Sequence, residues 1–174
     1  MYDHYWSPYQ QGETAFYKAK RRAMLHNLWA RIRRKPVQLL AFSKVEARLR
    51  LNIQHDRGVQ DIALHQIVGS VGRATEFSKR FLPMRERSKE RWSRVYAQAI
   101  SPEGLPPIDV YQVDDTYFVI DGNHRVSVTR ELGAKTIQAH VIELPTPITY
   151  RPDLTTQEVD LAYYRINTPG GINR

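Results

Sequence analysis

The sequence predicts an α+β fold, in which a small mixed sheet with packed helices follows a basic helical hairpin. Apolar and polar residues alternate over residues 108–113 and again over 137–142, which is typical of half-buried strands. Between them, an apolar run over residues 117–120 indicates a buried strand. This strand turns at Asp121-Gly122 into a short helix that ends at Gly133. Strands joined by a two-residue turn and by a helix indicate one mixed sheet.

Two helices are predicted before this sheet. Over residues 13–34, apolar side chains recur at three- to five-residue steps, and basic side chains fill most of the remaining positions. Pro36 separates this stretch from a second apolar stripe over residues 37–51. We expect the two helices to form a hairpin that either packs on the domain or serves in dimerisation. Residues 1–12 are rich in aromatic and turn-forming residues and should be extended.

The rest of the chain predicts shorter elements and a three-part organisation. These elements are a turn (55–58), a short strand with a turn (59–68), a short helix carrying Phe77 and Phe81 (73–81), a stronger helix with Trp92 in its apolar stripe (84–100), and a last helix that a capping box opens at Thr155-Thr-Gln-Glu158. The chain thereby divides into a basic helical N-terminal extension (1–57), an α+β domain (58–144), and an extended segment with a short C-terminal helix (145–174).

The positive charge is concentrated in the first third of the chain. Residues 1–57 carry 12 Lys and Arg against 4 Asp and Glu, whereas residues 58–174 carry 14 of each, so the first part accounts for the net charge of +8. Such a surface fits nucleic acid, an anionic membrane surface or an acidic protein. It also fits a helix that only caps the domain, packing Phe16, Leu28 and Trp29 onto it. The candidate nucleic-acid contacts are Lys18, Lys20, Arg21, Arg22, Arg31, Arg33 and Arg34.

Composition excludes several classes of protein. The chain has no cysteine, so disulfides, thiolate zinc sites and cysteine nucleophiles are excluded. No apolar run approaches the roughly 20 residues of a membrane-spanning helix. The first residues are polar and aromatic and have no small-residue cleavage site, so we expect no signal peptide and a cytoplasmic location.

The turn after the central strand has the features of an anion site. A glycine between a strand and a helix lets the first helical amides point outward, and an anion is favoured at a helix N-terminus. In this sequence Gly122 is followed by Asn123, His124 and Arg125, of which the arginine can hold a phosphate with two hydrogen bonds. The sequence therefore predicts a phosphate site at this turn.

Residues 59–144 resemble the N-terminal domain of the chromosome-partitioning protein ParB and, more broadly, the ParB/sulfiredoxin fold. The resemblance rests on Pro106-Pro-Ile-Asp-Val110 together with Asp121-Gly-Asn-His-Arg125, in this order and at this separation. It implies that the domain at 58–144 is ParB-like and that the turn binds a nucleotide or another phosphate compound, with Mg²⁺ as the accompanying metal of a nucleoside di- or triphosphate. By the same resemblance, the phosphate-binding residues are Gly122, Asn123, His124, Arg125 and Arg73.

The sequence also departs from known branches of this fold. Asn123 stands where sulfiredoxin has its catalytic cysteine, so that chemistry is excluded. Asn123 and His124 stand where ParB usually has glutamate and arginine, and the later Glu-Asn-x-x-Arg segment and the helix-turn-helix domain of ParB are missing. The Asp-Gly-x-His-Arg form is nearer to the free-serine kinases of the fold.

The sequence leaves the chemistry of the site open. The catalytic candidates are His124, Asp121 and Glu76: His124 as a phosphate donor, a helix cap or a general base, and Asp121 as a Mg²⁺ ligand, a partner of Arg125 or a turn residue. Phosphotransfer or hydrolysis would then rest on positioning and charge neutralisation. The alternative function is a non-enzymatic module that binds DNA or RNA through the basic helices, with oligomerisation through the same helices also open.

Overall fold

The computed structural model describes residues 6–34, 37–49, 51, 53–150 and 158, and a six-stranded mixed sheet forms its centre. The strands are β1 (Leu40–Ala41), β2 (His55–Ala63), β3 (Ile67–Ser70), β4 (Ile108–Val113), β5 (Thr116–Asp121) and β6 (Thr136–Glu143). Their order across the sheet is β1-β3-β5-β4-β6-β2. The predicted α+β class with a small mixed sheet is thereby confirmed.

The strand directions bring three chain segments together at one edge of the sheet. β3 runs parallel to β5, with Ser70 beside Val119, whereas β4 runs antiparallel to β5, with Asp109 beside Asp121. The ends of β3 and β5 and the start of β4 therefore lie side by side. Loops that leave the carboxyl ends of neighbouring parallel strands often form binding sites. This edge carries the predicted turn at Gly122.

Four helices within residues 6–150 cover the sheet: α1 (Pro8–Ile32), α2 (Phe42–Leu49), α3 (Lys89–Ala99) and α4 (Asn123–Glu131). Short 3₁₀ turns occur at Leu64–Gln66 and Glu86–Ser88. The main core lies between β-sheet residues such as Ile62 and Val119 and the aromatic pair Phe77 and Phe81. Burial of such side chains stabilises the folded state by roughly 25 cal/mol for each Å² of apolar surface removed from water.

The two N-terminal helices pack in separate clusters, so they do not form the predicted hairpin. Phe16 and Ala19 of α1 are buried with Trp92 of α3 and Val128 of α4. The apolar side of α2 belongs to another cluster, which includes Phe118 and Tyr150. The first helix also starts at Pro8, earlier than predicted, because Ser7 and Gln10 form a capping box.

One prediction was that the first helix caps the domain by packing Phe16, Leu28 and Trp29 onto it. This is right for one of the three residues. Phe16 is fully buried, but Leu28 and Trp29 are 57% and 59% exposed. Three ion pairs join α1 to the body: Lys20 with Glu86, Arg22 with Glu131, and Glu13 with Lys89. Residues 13–23 of α1 are therefore fastened to the domain, whereas the large apolar side chains that follow lie in solvent.

Two predictions in the middle of the chain are wrong. The segment 73–81 is not helical: its described residues form turns, and a bridge pairs Phe77 with Pro83. The segment 55–58 is not a turn but the start of β2. Gly58, with a φ of +67°, lies at the bulge where β2 shifts register against β6.

Within the described residues, the other elements predicted after residue 84 are present. The helix predicted over residues 84–100 is shorter than expected, because α3 starts only at Lys89, after the 3₁₀ turn at Glu86–Ser88. None of the described helices combines the length and apolar character of a membrane-crossing segment. The predicted last helix after the capping box at 155–158, apart from Glu158, lies outside the described residues.

Candidate functional site

The junction between β5 and α4 has a backbone conformation that requires glycine. Gly122 precedes α4 with a φ of +106°, and a Cβ atom there would lie 2.4 Å from Cγ2 of Ile108. No side chain caps the helix at this point, and the first amides of a helix have no intrahelical acceptor. The amides of Asn123, His124 and Arg125 are therefore available to an anion.

Two arginine side chains from other elements line the same cleft. Arg73 comes from the loop after β3, and Arg91 comes from the first turn of α3. Arg73 donates from its guanidinium to Oε2 of Glu76 at 3.0 Å. Within the described part of the chain, Arg91 has no ion pair. The cleft is thus positively charged on two sides of the helix N-terminus.

His124 and Asn123 are buried in the cleft with unpartnered polar atoms. His124 is 6% exposed and Asn123 is 4% exposed. Nε2 of His124 and Oδ1 of Asn123 have no hydrogen-bond partner among the described residues. The edge of the His124 ring packs on Phe77, with 5.2 Å between the ring centroids. A buried polar atom without a partner is costly, and a ligand that supplied the partner would remove that cost.

Burial lowers the pKa of His124 from its ordinary value of 6.5 to about 4, and the positive charges of Arg91 and Arg73 act in the same direction. The carboxylates of Glu76 and Asp121 oppose this shift without cancelling it. His124 is consequently neutral near pH 7, so one ring nitrogen is a donor and the other an acceptor.

The side chain of Arg125 is held by groups of the protein itself. Its guanidinium donates to the carbonyl oxygens of Pro106 and Pro107 and to Oδ2 of Asp121, the last at 2.6 Å. The Asp121 side chain is 61% exposed, and that of Arg125 is 15% exposed. Arg125 therefore ties the turn to the segment before β4, a role in addition to the predicted phosphate contact.

Glu76 lies next to the cleft but is engaged by two arginines. Its carboxylate pairs with Arg73 at 3.0 Å and with Arg87 at 3.3 Å. Partial burial favours the neutral acid, but the hydrogen bond from Arg73 and the charges of both arginines prevail and lower the pKa of Glu76. A carboxylate held in this way is a weaker base than a free one.

The size of the cleft limits what it can enclose. Its volume is about 40 Å³, whereas one water needs roughly 10–15 Å³. A single phosphate group therefore fits inside, and the remainder of a nucleotide would lie outside. A much larger cavity, of about 1040 Å³, lies elsewhere, between β1, β3 and Arg130, and includes none of the predicted site residues.

The structure brings together six of the predicted site residues and adds one that sequence reasoning missed. The six that line the cleft are Arg73, Asp121, Gly122, Asn123, His124 and Arg125. Arg91 stands in a run of charged residues, which by itself favours the solvent side of the helix. The available signal was its position one turn before Val95, which places both on the side of α3 that faces α4.

The seven basic candidates for nucleic-acid contact divide into two groups. Lys20 and Arg22 are used in ion pairs with the body. The other five are exposed and have no ion pair with the described residues, namely Lys18, Arg21, Arg31, Arg33 and Arg34. None of the seven lines the cleft at α4.

A comparison with protein families matches residues 57–156 to the ParB N-terminal domain. The chain belongs to this family. The match covers more than half of the sequence. It confirms the predicted resemblance of residues 59–144 to the N-terminal domain of ParB. A comparison with curated proteins found none that matches.

Among solved structures, this ParB N-terminal domain is similar to sulfiredoxin from Arabidopsis thaliana. The identity is 23% and the TM-score 0.37, with 48% of this chain and 82% of that chain covered. Similarity at this level does not extend to function.

No group of three or more metal-ligating side chains occurs among the described residues. Asp121 is the only acidic residue that lines the cleft, and its carboxylate pairs with Arg125. Mg²⁺ usually takes one or two carboxylates together with phosphate oxygens, and Arg125 already donates to one of the two oxygens of the Asp121 carboxylate.

Proposed function

We propose that this ParB N-terminal domain binds a phosphate-bearing small molecule, such as a nucleotide, with one phosphate at the N-terminus of α4. The observation that supports this most is the pair of buried polar atoms in the cleft, Nε2 of His124 and Oδ1 of Asn123, which have no partner among the described residues. They lie beside uncapped amides and two arginines. The amides, the arginines and a protonated Nε2 of His124 can donate to a bound oxyanion, whereas Oδ1 of Asn123 only accepts hydrogen bonds and can reach the ligand through a water.

The proposed binding mode divides the work among the residues of the cleft. The amides that follow Gly122 bind phosphate oxygens through the helix N-terminus. Arg91 supplies the unpaired charge from α3, and Arg73 supplies charge while also held by Glu76. Arg125 positions the turn through the carbonyls before β4. Because the cleft is small, the base or acceptor portion of the ligand remains outside.

His124 links binding to proton uptake. A phosphate beside its ring favours the imidazolium, since an opposite charge raises the pKa of a histidine. With a free-state pKa of about 4, the ring is neutral before binding and gains a proton as its pKa rises towards the working pH. The protonated ring then donates two hydrogen bonds, and Nε2 acquires a partner.

We also propose phosphotransfer or hydrolysis at this site, but only one of the three predicted acid–base groups is available for it. Asp121 is paired with Arg125, and Glu76 is paired with Arg73 and Arg87. Of the three predicted acid–base groups, His124 alone has a buried titratable atom without a partner among the described residues. It is therefore the group to which turnover should be most sensitive.

The direct test is a thermal-shift and calorimetry screen of ATP, ADP, CTP, GTP and pyrophosphate, with and without Mg²⁺. Arg91→Ala should abolish the stabilisation that a ligand gives, because it removes the unpaired charge from the cleft. Arg94→Ala is the matched control, since Arg94 lies on the same helix and is paired with Glu90 but does not line the cleft. An undiminished ligand effect in Arg91→Ala contradicts the proposal, and phosphate release measured in parallel separates binding from turnover.

Nucleic-acid binding through α1 is the second candidate, and five exposed basic residues without ion pairs support it. Deleting residues 1–57 is unsuitable as a test, because Phe16 and Ala19 belong to the core. Replacing Lys18, Arg21 and Arg31 by glutamine keeps that core intact. Retention on DNA or RNA at low salt that is lost in this variant would support the candidate. The cytoplasmic location and oligomerisation through α1 also remain predictions.

A further inference from the structure

The second half of α1 carries a row of large apolar side chains in solvent. The exposed fractions are 76% for Met24, 54% for Leu25, 57% for Leu28, 59% for Trp29 and 67% for Ile32. Single exposed apolar residues are ordinary, but a contiguous patch of this kind usually marks an interaction surface. We call these five residues the apolar row.

The apolar row lies on the side of α1 that faces away from the domain. The residues that α1 buries are Gly12, Phe16, Ala19 and Ala23. With about 100° per residue in a helix, the centre of the apolar row lies roughly opposite the centre of that buried set. A shallow groove of about 640 Å³ runs along one flank of the row and is lined by Leu28 and Met84. The domain therefore leaves the row accessible from outside.

Basic side chains flank the apolar row, and α1 has almost no acidic ones. Glu13 is the only acidic residue of Pro8–Ile32, and it pairs with Lys89. Lys18, Arg21 and Arg31 are exposed and have no ion pair with the described residues. The guanidinium of Arg33 lies over the ring of Trp29, at 5.8 Å from its centroid. The surface thus combines apolar side chains with unpaired positive charge.

We infer that the apolar row docks on an anionic membrane surface. A helix that lies in a bilayer interface inserts its apolar side chains among the lipids while its basic residues contact anionic headgroups. A tryptophan such as Trp29 is well suited to that depth, because its ring is apolar and its N–H can bond at the headgroup level. The domain packs on the opposite side of α1, so it does not obstruct the contact.

Two other occupants fit the surface less well. Nucleic acid would neutralise the basic residues but leave the apolar row in water. A second copy of α1 would cover the row but bring the unpaired cations of two helices together. An anionic membrane satisfies both properties at once.

Co-sedimentation of the full chain with lipid vesicles tests this inference. The protein should bind vesicles of equimolar phosphatidylglycerol and phosphatidylcholine, but not vesicles of phosphatidylcholine alone. Leu28→Glu should weaken binding about tenfold or more, because it places a charge where an apolar side chain inserts. Gln98→Glu is the control, since it adds the same charge at an exposed position of α3.

Tryptophan fluorescence supplies a second measurement that does not depend on affinity. Trp29 and Trp6 are similarly exposed, at 59% and 61%, and Trp92 is fully buried. The blue shift of the emission on vesicle binding should disappear in Trp29→Phe and persist in Trp6→Phe.

Three outcomes overturn the inference. The first is equal vesicle binding by Leu28→Glu and the unmodified protein, which would indicate adhesion by charge alone. The second is retention on duplex DNA with no vesicle binding, which would assign the surface to nucleic acid. The third is a dimer in sedimentation velocity that Leu28→Glu dissociates, again without vesicle binding, which would assign the surface to a second copy of the chain.

Discussion

The buried histidine of the cleft should make folding stability depend on pH in a way that one substitution removes. His124 has a pKa of about 4 in the folded protein, against 6.5 for an ordinary histidine. Between these values the unfolded chain binds a proton that the folded chain does not, so stability rises with pH across this window. Lowering the pH through the same window therefore destabilises the protein.

The size of this effect follows from the shift in the pKa. One pKa unit corresponds to about 1.4 kcal/mol of free energy. At pH values well below 4, His124 therefore lowers the free energy of unfolding by about 3 kcal/mol. Between about pH 7 and about pH 5, the linkage relation gives a loss of about 2 kcal/mol from His124 alone. A loss of this size is large compared with the net stability of a typical domain, which is about 5–15 kcal/mol.

Urea unfolding of the unmodified protein and of His124→Gln, at both pH values, measures this contribution. Gln keeps a polar side chain of similar reach but does not titrate, so the difference between the two proteins should change by about 2 kcal/mol between the two pH values. Other titrating groups are present in both proteins and cancel in this comparison. A difference that does not change with pH would refute the assignment of His124 as a buried neutral group.

Three further predictions concern the framework of the site. Gly122→Ala should destabilise the fold by about 2–5 kcal/mol in urea unfolding, because it combines backbone strain with overpacking; an unchanged midpoint would contradict the described turn. Ser127→Ala removes the acceptor 2.9 Å from the indole nitrogen of buried Trp92 and should cost about 1–3 kcal/mol by the same assay, whereas a neutral effect would mean that the indole has another partner. The hydrogen bond and charge of Asp56 raise the pKa of His140, so Asp56→Asn should lower that pKa in an NMR titration; an unaltered titration would exclude the contact.

The parts of the fold that the sequence predicted well are those in which local signals agree. β4 alternates in hydrophobicity, β5 is a continuous apolar run, and the two are joined by Asp114-Asp115, of which Asp114 has a φ of +52°. The helix α4 starts after Gly122 and ends just before Gly133, as the two glycines indicate. In each case the turn residue and the apolar period favour the same structure.

The errors arose where packing overrides local pattern. Phe77 and Phe81 stand four residues apart, as on one face of a helix, but both are fully buried in the main core, and Phe81 adopts a φ of +59°. A two-residue strand such as β1 is too short for any periodicity to reveal. The stripe that predicts α2 is real, but the sheet rather than α1 covers it.

The candidate site was predictable only in part, for a similar reason. The turn from Asp121 to Arg125 is local, so its residues could be read from the sequence. The contribution of Arg91 depends on how α3 packs against α4, which the spacing of residues along one chain segment does not show. The engagement of Arg125 by the carbonyls of Pro106 and Pro107 likewise depends on the sheet order that brings β4 beside β5.

The central claim is that a phosphate binds at the N-terminus of α4, and an NMR titration with pyrophosphate tests it most directly. We expect the largest amide shifts at Gly122, Asn123, His124 and Arg125, together with a rise in the pKa of His124. Arg91→Ala should suppress these shifts, while Arg94→Ala should leave them in place. Shifts confined to the basic residues of α1, with the amides after Gly122 unchanged, would contradict the claim.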